Sequence, residues 1–172
     1  MGNSNMKTRK LVCLLLITIL AFCSACSDSE TEAWKQALYE QVELDLYQEL
    51  PVDEPILAAY VDEQKSGMFI VSKALGYHGD VVVLVRYADK VVEQVRILEE
   101  SETEDYGGYI REQWFLERFK GMNPGQKLRL VKMAKDAENE VVGVTGATVS
   151  SQAVLEAVQA TLQYMQDYKG GN

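Results

Sequence analysis

Hydrophobic and polar positions follow three patterns along this chain. Leu11 to Phe22 form an apolar run, LVCLLLITILAF, directly after the basic residues Lys7, Arg9 and Lys10. Farther on, Trp34, Leu38, Val42 and Leu46 recur at every fourth position, with Tyr39 on the same side. That spacing predicts an amphipathic helix over 32–50, ended by Pro51 and Pro55. Its stripe favours packing on a domain over a bare stalk, which would leave the apolar residues in water. A β-type pattern follows in Met68 to Val71, Val81 to Val85 and Val91 to Leu98. In the last of these, Val95 and Ile97 oppose Gln94 and Arg96. Gly76-Tyr77-His78-Gly79-Asp80 and Tyr87-Ala88-Asp89-Lys90 have turn chemistry, so the pattern predicts an antiparallel hairpin with at least one more strand.

A second amphipathic helix is expected over 109–120, with Ile110, Trp114, Phe115 and Phe119 on its apolar side and Gly121 and Pro124 at its end. A further strand over 126–133 precedes a polar turn and Val141-Val142. The last helix is expected over 150–168, striped by Ala153, Val154, Ala157, Val158, Leu162 and Met165. These elements make an α+β fold: a twisted antiparallel sheet flanked by helices.

At 172 residues and 47% hydrophobic, the chain is long and apolar enough for one folded domain. Its net charge of −9 argues against nucleic acid as a partner, which a cationic face would have to bind. The charge is uneven. No acidic residue precedes Asp28, so removing the first 25 residues would make the remainder more acidic by the three charges of Lys7, Arg9 and Lys10.

Those basic residues and the apolar run have the layout of an export signal, too short for a comfortable membrane span of ~20 residues. Cys23-Ser24-Ala25-Cys26 follows, then a polar stretch, SDSETE. Small residues before a cysteine at this point resemble a bacterial lipobox. The resemblance implies cleavage before Cys26 and a lipid anchor on its sulfur; an uncleaved anchor or a plain secretory signal are the other readings. The implied organisation is a signal peptide over 1–25, a polar tether over 26–31, a helix and linker over 32–65, and a domain over 66–169. All three cysteines (Cys13, Cys23 and Cys26) fall in the export segment, which leaves the domain without thiol chemistry.

The chemistry available to the domain is limited. His78 is the only histidine in the sequence and sits between glycines, so no multi-histidine metal site exists and a Ser-His-Asp triad is not expected. Neither GxxxxGK[ST] nor a strand-borne GxGxxG occurs. The acids from Glu99 to Asp105 read as a solvated loop and lack EF-hand spacing. The unusual stretch is Val144-Thr145-Gly146-Ala147-Thr148-Val149-Ser150-Ser151. The amides of a helix's first turn attract anions, Gly146 and Ala147 allow close approach, and Thr145, Thr148, Ser150 and Ser151 offer hydroxyls. The alternative is an ordinary helix cap by Ser150 or Ser151.

TGATVSS resembles the flavinylation motif, [ST]GAT followed by hydroxyl residues, of the FMN-binding domain family. That family includes flavinylated components of sodium-pumping NADH:quinone reductases and of Rnf-type electron-transport complexes. Two other stretches match in order. Gly76-Tyr77-His78-Gly79 before Val81 to Val85 is similar to the family's GYxG, and Glu102-Thr103-Glu104-Asp105-Tyr106-Gly107 is similar to its ETPGLG. The resemblance implies FMN bound covalently through a phosphoester on Thr148. It also implies that the hydroxyls of Thr145, Ser150 and Ser151, with the first-turn amides, hold the phosphate oxygens, and that Gly146 and Ala147 let the group approach. Glu102, Thr103 and Gly107 would then lie on the ring side, with Tyr106 stacking. The implied protein is a flavoprotein electron relay on the extracytoplasmic face of a membrane. It would have a flavin transferase and a membrane redox enzyme or complex as partners, and no catalytic residue of its own. The alternative is a binding or assembly module on the same fold without flavin.

Overall fold

Five strands run in sequence order as an antiparallel sheet: β1 (Tyr47–Leu50), β2 (Ile56–Asp62), β3 (Gly67–Leu75), β4 (Asp80–Ala88) and β5 (Val91–Glu99). The computed structural model describes residues 33–64 and 67–168. The sheet is covered on both faces, which explains why Val81 to Val85 are apolar without alternation. Val81, Val83 and Val85 point into one cluster, and Val82 and Leu84 into another. The β4–β5 connection is a tight turn with Asp89 (φ 51°) and Lys90 (φ 66°) in the left-handed region, as two-residue hairpins require.

One face is covered by α1 (Ala33–Gln41), which buries Trp34 and Leu38 against Ala58, Tyr60, Val71, Val82 and Leu84. The Trp34 amide donates to Glu99 at the end of β5 (3.1 Å). This helix is shorter than the fourfold spacing suggests. A 3₁₀ turn over Leu44–Leu46 leads into β1, whose residues pair with β2 from Tyr47↔Asp62 to Leu50↔Ala59. Tyr39 and Leu46 are exposed. Pairing with β2 outweighs helical periodicity here, because tertiary hydrogen bonds and packing override a weak local propensity. The expected linker over 51–65 holds β2, with Ile56, Ala58, Ala59, Tyr60 and Val61 buried.

The other face is covered by the segment 107–119 and a long helix. That segment is not one helix: 3₁₀ turns at Gly107–Arg111 and Glu117–Phe119 flank a single α turn, α2 (Gln113–Leu116). Ile110, Phe115 and Phe119 are fully buried as expected, while Trp114 lies 47% exposed with the Arg118 guanidinium 4.9 Å above its ring. β6 (Arg129–Val131) and β7 (Glu140–Val142) form a separate parallel pair. Glu140 organises their connection, accepting from the amides of Asp136 (2.7 Å) and Ala137 (3.2 Å) and pairing with Arg129. These amides, with the Arg129 charge, hold its carboxyl below the ordinary glutamate pKa.

The long helix, α3 (Thr148–Asp167), crosses β3 and β4. Its first half packs with Val81, Val83, Ile110, Phe115 and Phe119. Its second half places Ala160, Tyr164 and Met165 against Ile56, Ala59, Val61, Met68 and Ile70. A buried polar contact fixes its position on the sheet: the Ser72 hydroxyl donates to the Ala157 carbonyl (2.9 Å) and lies 3.2 Å from the Thr161 hydroxyl. Among the described residues no helix is long and apolar enough to cross a membrane.

Candidate functional site

The site is built where β7 turns into α3. Val144 and Ala147 are buried, so the turn is anchored at both ends while Thr145 and Gly146 face outward. Gly146 has φ +83°, in the left-handed region that glycine favours. The Ala147 amide donates to the Val144 carbonyl (3.1 Å), and the Val144 amide donates to the Ser151 hydroxyl (2.9 Å), which closes the turn onto the helix. α3 begins at Thr148, two residues before the expected start. Ala147 stands at its cap position and no side chain caps it. Ser150 and Ser151 are therefore inside the helix and not its caps.

This geometry sorts the hydroxyls. Thr145 and Thr148 are exposed. Ser150 and Ser151 are buried and their hydroxyls face inward, one toward Glu102 and one toward the Val144 amide, so, against the expectation, they are not turned to hold a phosphate on Thr148. Amides at the start of an α-helix have no partner within the helix. An oxyanion bonded to Thr148 would meet these donors and the positive end of the helix dipole. The residues present thus fit a phosphate group, and an exposed threonine on an uncapped first turn is the fitting feature.

The second motif stretch lies beside the first. Tyr106 is 60% exposed, and its ring lies so close to Gly146 that a Cβ there would come within 2.6 Å of its Cδ1. Thr103 is exposed, and its carbonyl accepts from the amides of Gly108 (2.8 Å) and Tyr106 (3.3 Å), which shapes the loop. Gly107 is buried against Glu102, where a Cβ would come within 2.6 Å of the Glu102 Cβ.

Glu102 joins all three motif stretches. It is only 7% exposed. Its Oε1 accepts from the amides of Tyr77 (2.7 Å) and His78 (3.1 Å), and its Oε2 accepts from the Ser150 hydroxyl (2.5 Å). A Cβ on Gly76 would collide with the same carboxylate. The Glu102 amide in turn donates to Glu100, whose buried carboxylate pairs with Arg111. Glu100 and Arg111 are contributors that the three motifs did not indicate, and the expectation of a solvated loop over Glu99 to Asp105 is corrected, since the carboxylates of Glu100 and Glu102 are buried. Cys26 lies outside the described residues.

The site is on the surface. An open cleft of about 740 Å³ lies between β5 and residues 111–120, lined by Arg86, Arg96, Arg111 and Lys120 among others, and contains none of the motif residues. A group carried on Thr148 would accordingly be held at the protein's exterior.

The site lies within the part of the chain that resembles known proteins. The FMN-binding domain family model matches residues 76–163, a span that includes the GYHG turn, the Glu102 loop and the Thr148 turn. The G component of the Na(+)-translocating ferredoxin:NAD(+) oxidoreductase complex of Acetobacterium woodii is 33% identical over 94 residues, 54% of this chain and 45% of that protein. The chain thus matches less than half the length of this curated relative. Among solved structures, the C component of the Na(+)-translocating NADH-quinone reductase from Parabacteroides distasonis superposes with a TM-score of 0.56 at 17% identity, over 67% of this chain and 64% of that one. NqrC from Shewanella oneidensis gives 0.51 at 16% identity, over 70% and 65%. These two share the fold, an antiparallel sheet with helices. With the three motif stretches converging inside the matched span, the chain belongs to the FMN-binding domain family.

Proposed function

We propose that this protein is a membrane-tethered flavoprotein. It carries FMN covalently through a phosphoester on Thr148 and relays electrons for a membrane redox enzyme or complex. The observation that carries the reading is the exposed Thr148 on the uncapped first turn of α3, beside the left-handed Gly146. FMN would supply the redox chemistry, and the protein would bind and orient it.

In this reading Thr148 accepts the flavin from a phosphoanhydride donor. The Thr148 Oγ–P bond forms and the anhydride P–O bond breaks, its electron pair leaving on the departing phosphate. The hydroxyl proton passes to a base of a separate flavin transferase. The first-turn amides and Thr145 then hold the phosphate oxygens. Ser150 and Ser151 support the turn from inside, and Tyr106 flanks the place where a ring would lie. Linkage through the phosphate end leaves the flavin ring free at the surface, where a partner can reach it. Outside the cytoplasm a covalent link also prevents loss of the cofactor by diffusion. A lipid on Cys26 would keep the domain near its membrane partner. The Acetobacterium woodii relative, named as part of a ferredoxin:NAD(+) oxidoreductase complex, supports a redox partner of that kind.

The second reading, a binding or assembly module without flavin, is favoured by the acidic Glu104 and Asp105 and by the Tyr106 ring resting on Gly146. Unfolding after coexpression with a flavin transferase separates the two. Flavin absorbance that stays with the denatured chain supports the relay, and a colourless chain supports the module.

A further inference from the structure

We propose that Glu102 is a positioning residue, whose buried carboxylate sets the first turn of α3 in place for modification at Thr148. This rests on the flavin reading above and assigns Glu102 a role under the site rather than against the flavin ring.

A carboxylate that is 7% exposed needs hydrogen-bond donors, and this one has three from two separate parts of the chain. Two are the backbone amides of Tyr77 and His78, in the turn between β3 and β4. The third is the hydroxyl of Ser150, two residues beyond Thr148 on α3. Glu102 itself sits in the loop that ends at Tyr106 and Gly107, and Tyr106 touches Gly146. The carboxylate is thus a tie between the sheet's end, the loop and the helix start. Gly76 and Gly107 are both positions where a side chain would strike Glu102, so the backbone closes around it on two sides. Ser150 lies within one helical turn of Thr148, and a displacement at one is transmitted to the other through the rigid helix.

Glu102→Ala would leave three donors without an acceptor and free the helix start from the loop. Glu102→Gln keeps an acceptor oxygen for the two amides, and its NH₂ can donate to the Ser150 oxygen. Positioning therefore predicts opposite outcomes for the two variants. With a flavin transferase and intact-mass readout, Glu102→Ala should slow FMN incorporation on the order of tenfold or more, because small misplacements of a reacting atom carry large rate costs. Glu102→Gln should stay near the wild-type rate. Ser150→Ala cuts the same tie from the helix side and should act in the same direction without adding fully to Glu102→Ala. A core variant away from the site, Val158→Ala, tuned to the same loss of Tm, should incorporate FMN normally.

Amide hydrogen exchange on the unmodified protein gives a readout independent of flavin. The Tyr77 and His78 amides should be protected in the wild type and Glu102→Gln, and exchange fast in Glu102→Ala. The proposal is overturned if Glu102→Ala incorporates like Val158→Ala, if Glu102→Gln is as slow as Glu102→Ala, or if the two amides stay protected without the carboxylate. If the wild type takes up no FMN from a transferase active on a known acceptor, the flavin reading fails instead. The exchange measurement then still decides whether Glu102 ties these segments together.

Discussion

At the scale of single residues, Gly146 and Glu140 carry the clearest consequences. Gly146 combines φ +83° with a Tyr106 ring that leaves no room for a Cβ. Gly146→Ala should therefore cost roughly 1–2 kcal/mol from backbone strain, with Tyr106 displaced as well. Urea unfolding measures the loss, and an unchanged midpoint would contradict the local geometry. Glu140 is held ionised by the Asp136 and Ala137 amides and by Arg129. A depressed folded-state pKa contributes stability above the unfolded value, and that contribution is lost as pH falls through the folded one. Wild type should lose more stability than Glu140→Gln between pH 7 and pH 3, as compared by urea midpoints at the two values. The candidate residues were legible as a group because the motif stretches are contiguous in sequence. Their division into outward Thr145 and Thr148 and inward Ser150 and Ser151 was not, because it depends on α3 starting at Thr148. Glu102 appeared as one acid in an acidic loop, and only folding brings Tyr77 and Ser150 to it.

Among the elements, the central strands, the β4–β5 turn and α3 followed from local pattern. The strands and α3 have strong signals, β-branched runs and a long apolar stripe, and the polar Asp89-Lys90 marks the turn, whose left-handed backbone only the structure shows. The N-terminal part was less legible. Its fourfold spacing continues through Leu46, yet the helix ends at Gln41, and β1 is a half-exposed edge strand with little periodic signature. The connection of the parallel β6–β7 pair is organised by Glu140 through the Asp136 and Ala137 amides and Arg129, side-chain contacts that alternation does not encode. α1 is part of the domain and not a stalk, since Trp34 and Leu38 fill a cluster on the sheet. Leu38→Ala should cost about 2–5 kcal/mol of global stability, the range for emptying a buried leucine site. A cost near zero by chemical denaturation would make α1 a dispensable appendage.

For the whole molecule, the fold leaves the Thr148 site at the exterior, and a flavin carried there would need to be kept near its partner. The proposed Cys26 tether would supply that. Cys26→Ser should move the chain from the membrane fraction to the soluble extracytoplasmic fraction, and retention in the membrane would point to an uncleaved N-terminal anchor. The net charge of −9 argues against a nucleic-acid partner, which would need a cationic face. A covalent flavin on Thr148 is what separates an electron relay from a binding module. Its most direct test is intact mass under denaturing conditions, after coexpression with a flavin transferase, for the wild type beside Thr148→Ala. The wild type should carry one FMN less one water, and the variant nothing. An unmodified wild type, with the transferase active on a known acceptor, or an adduct that survives Thr148→Ala, would contradict it.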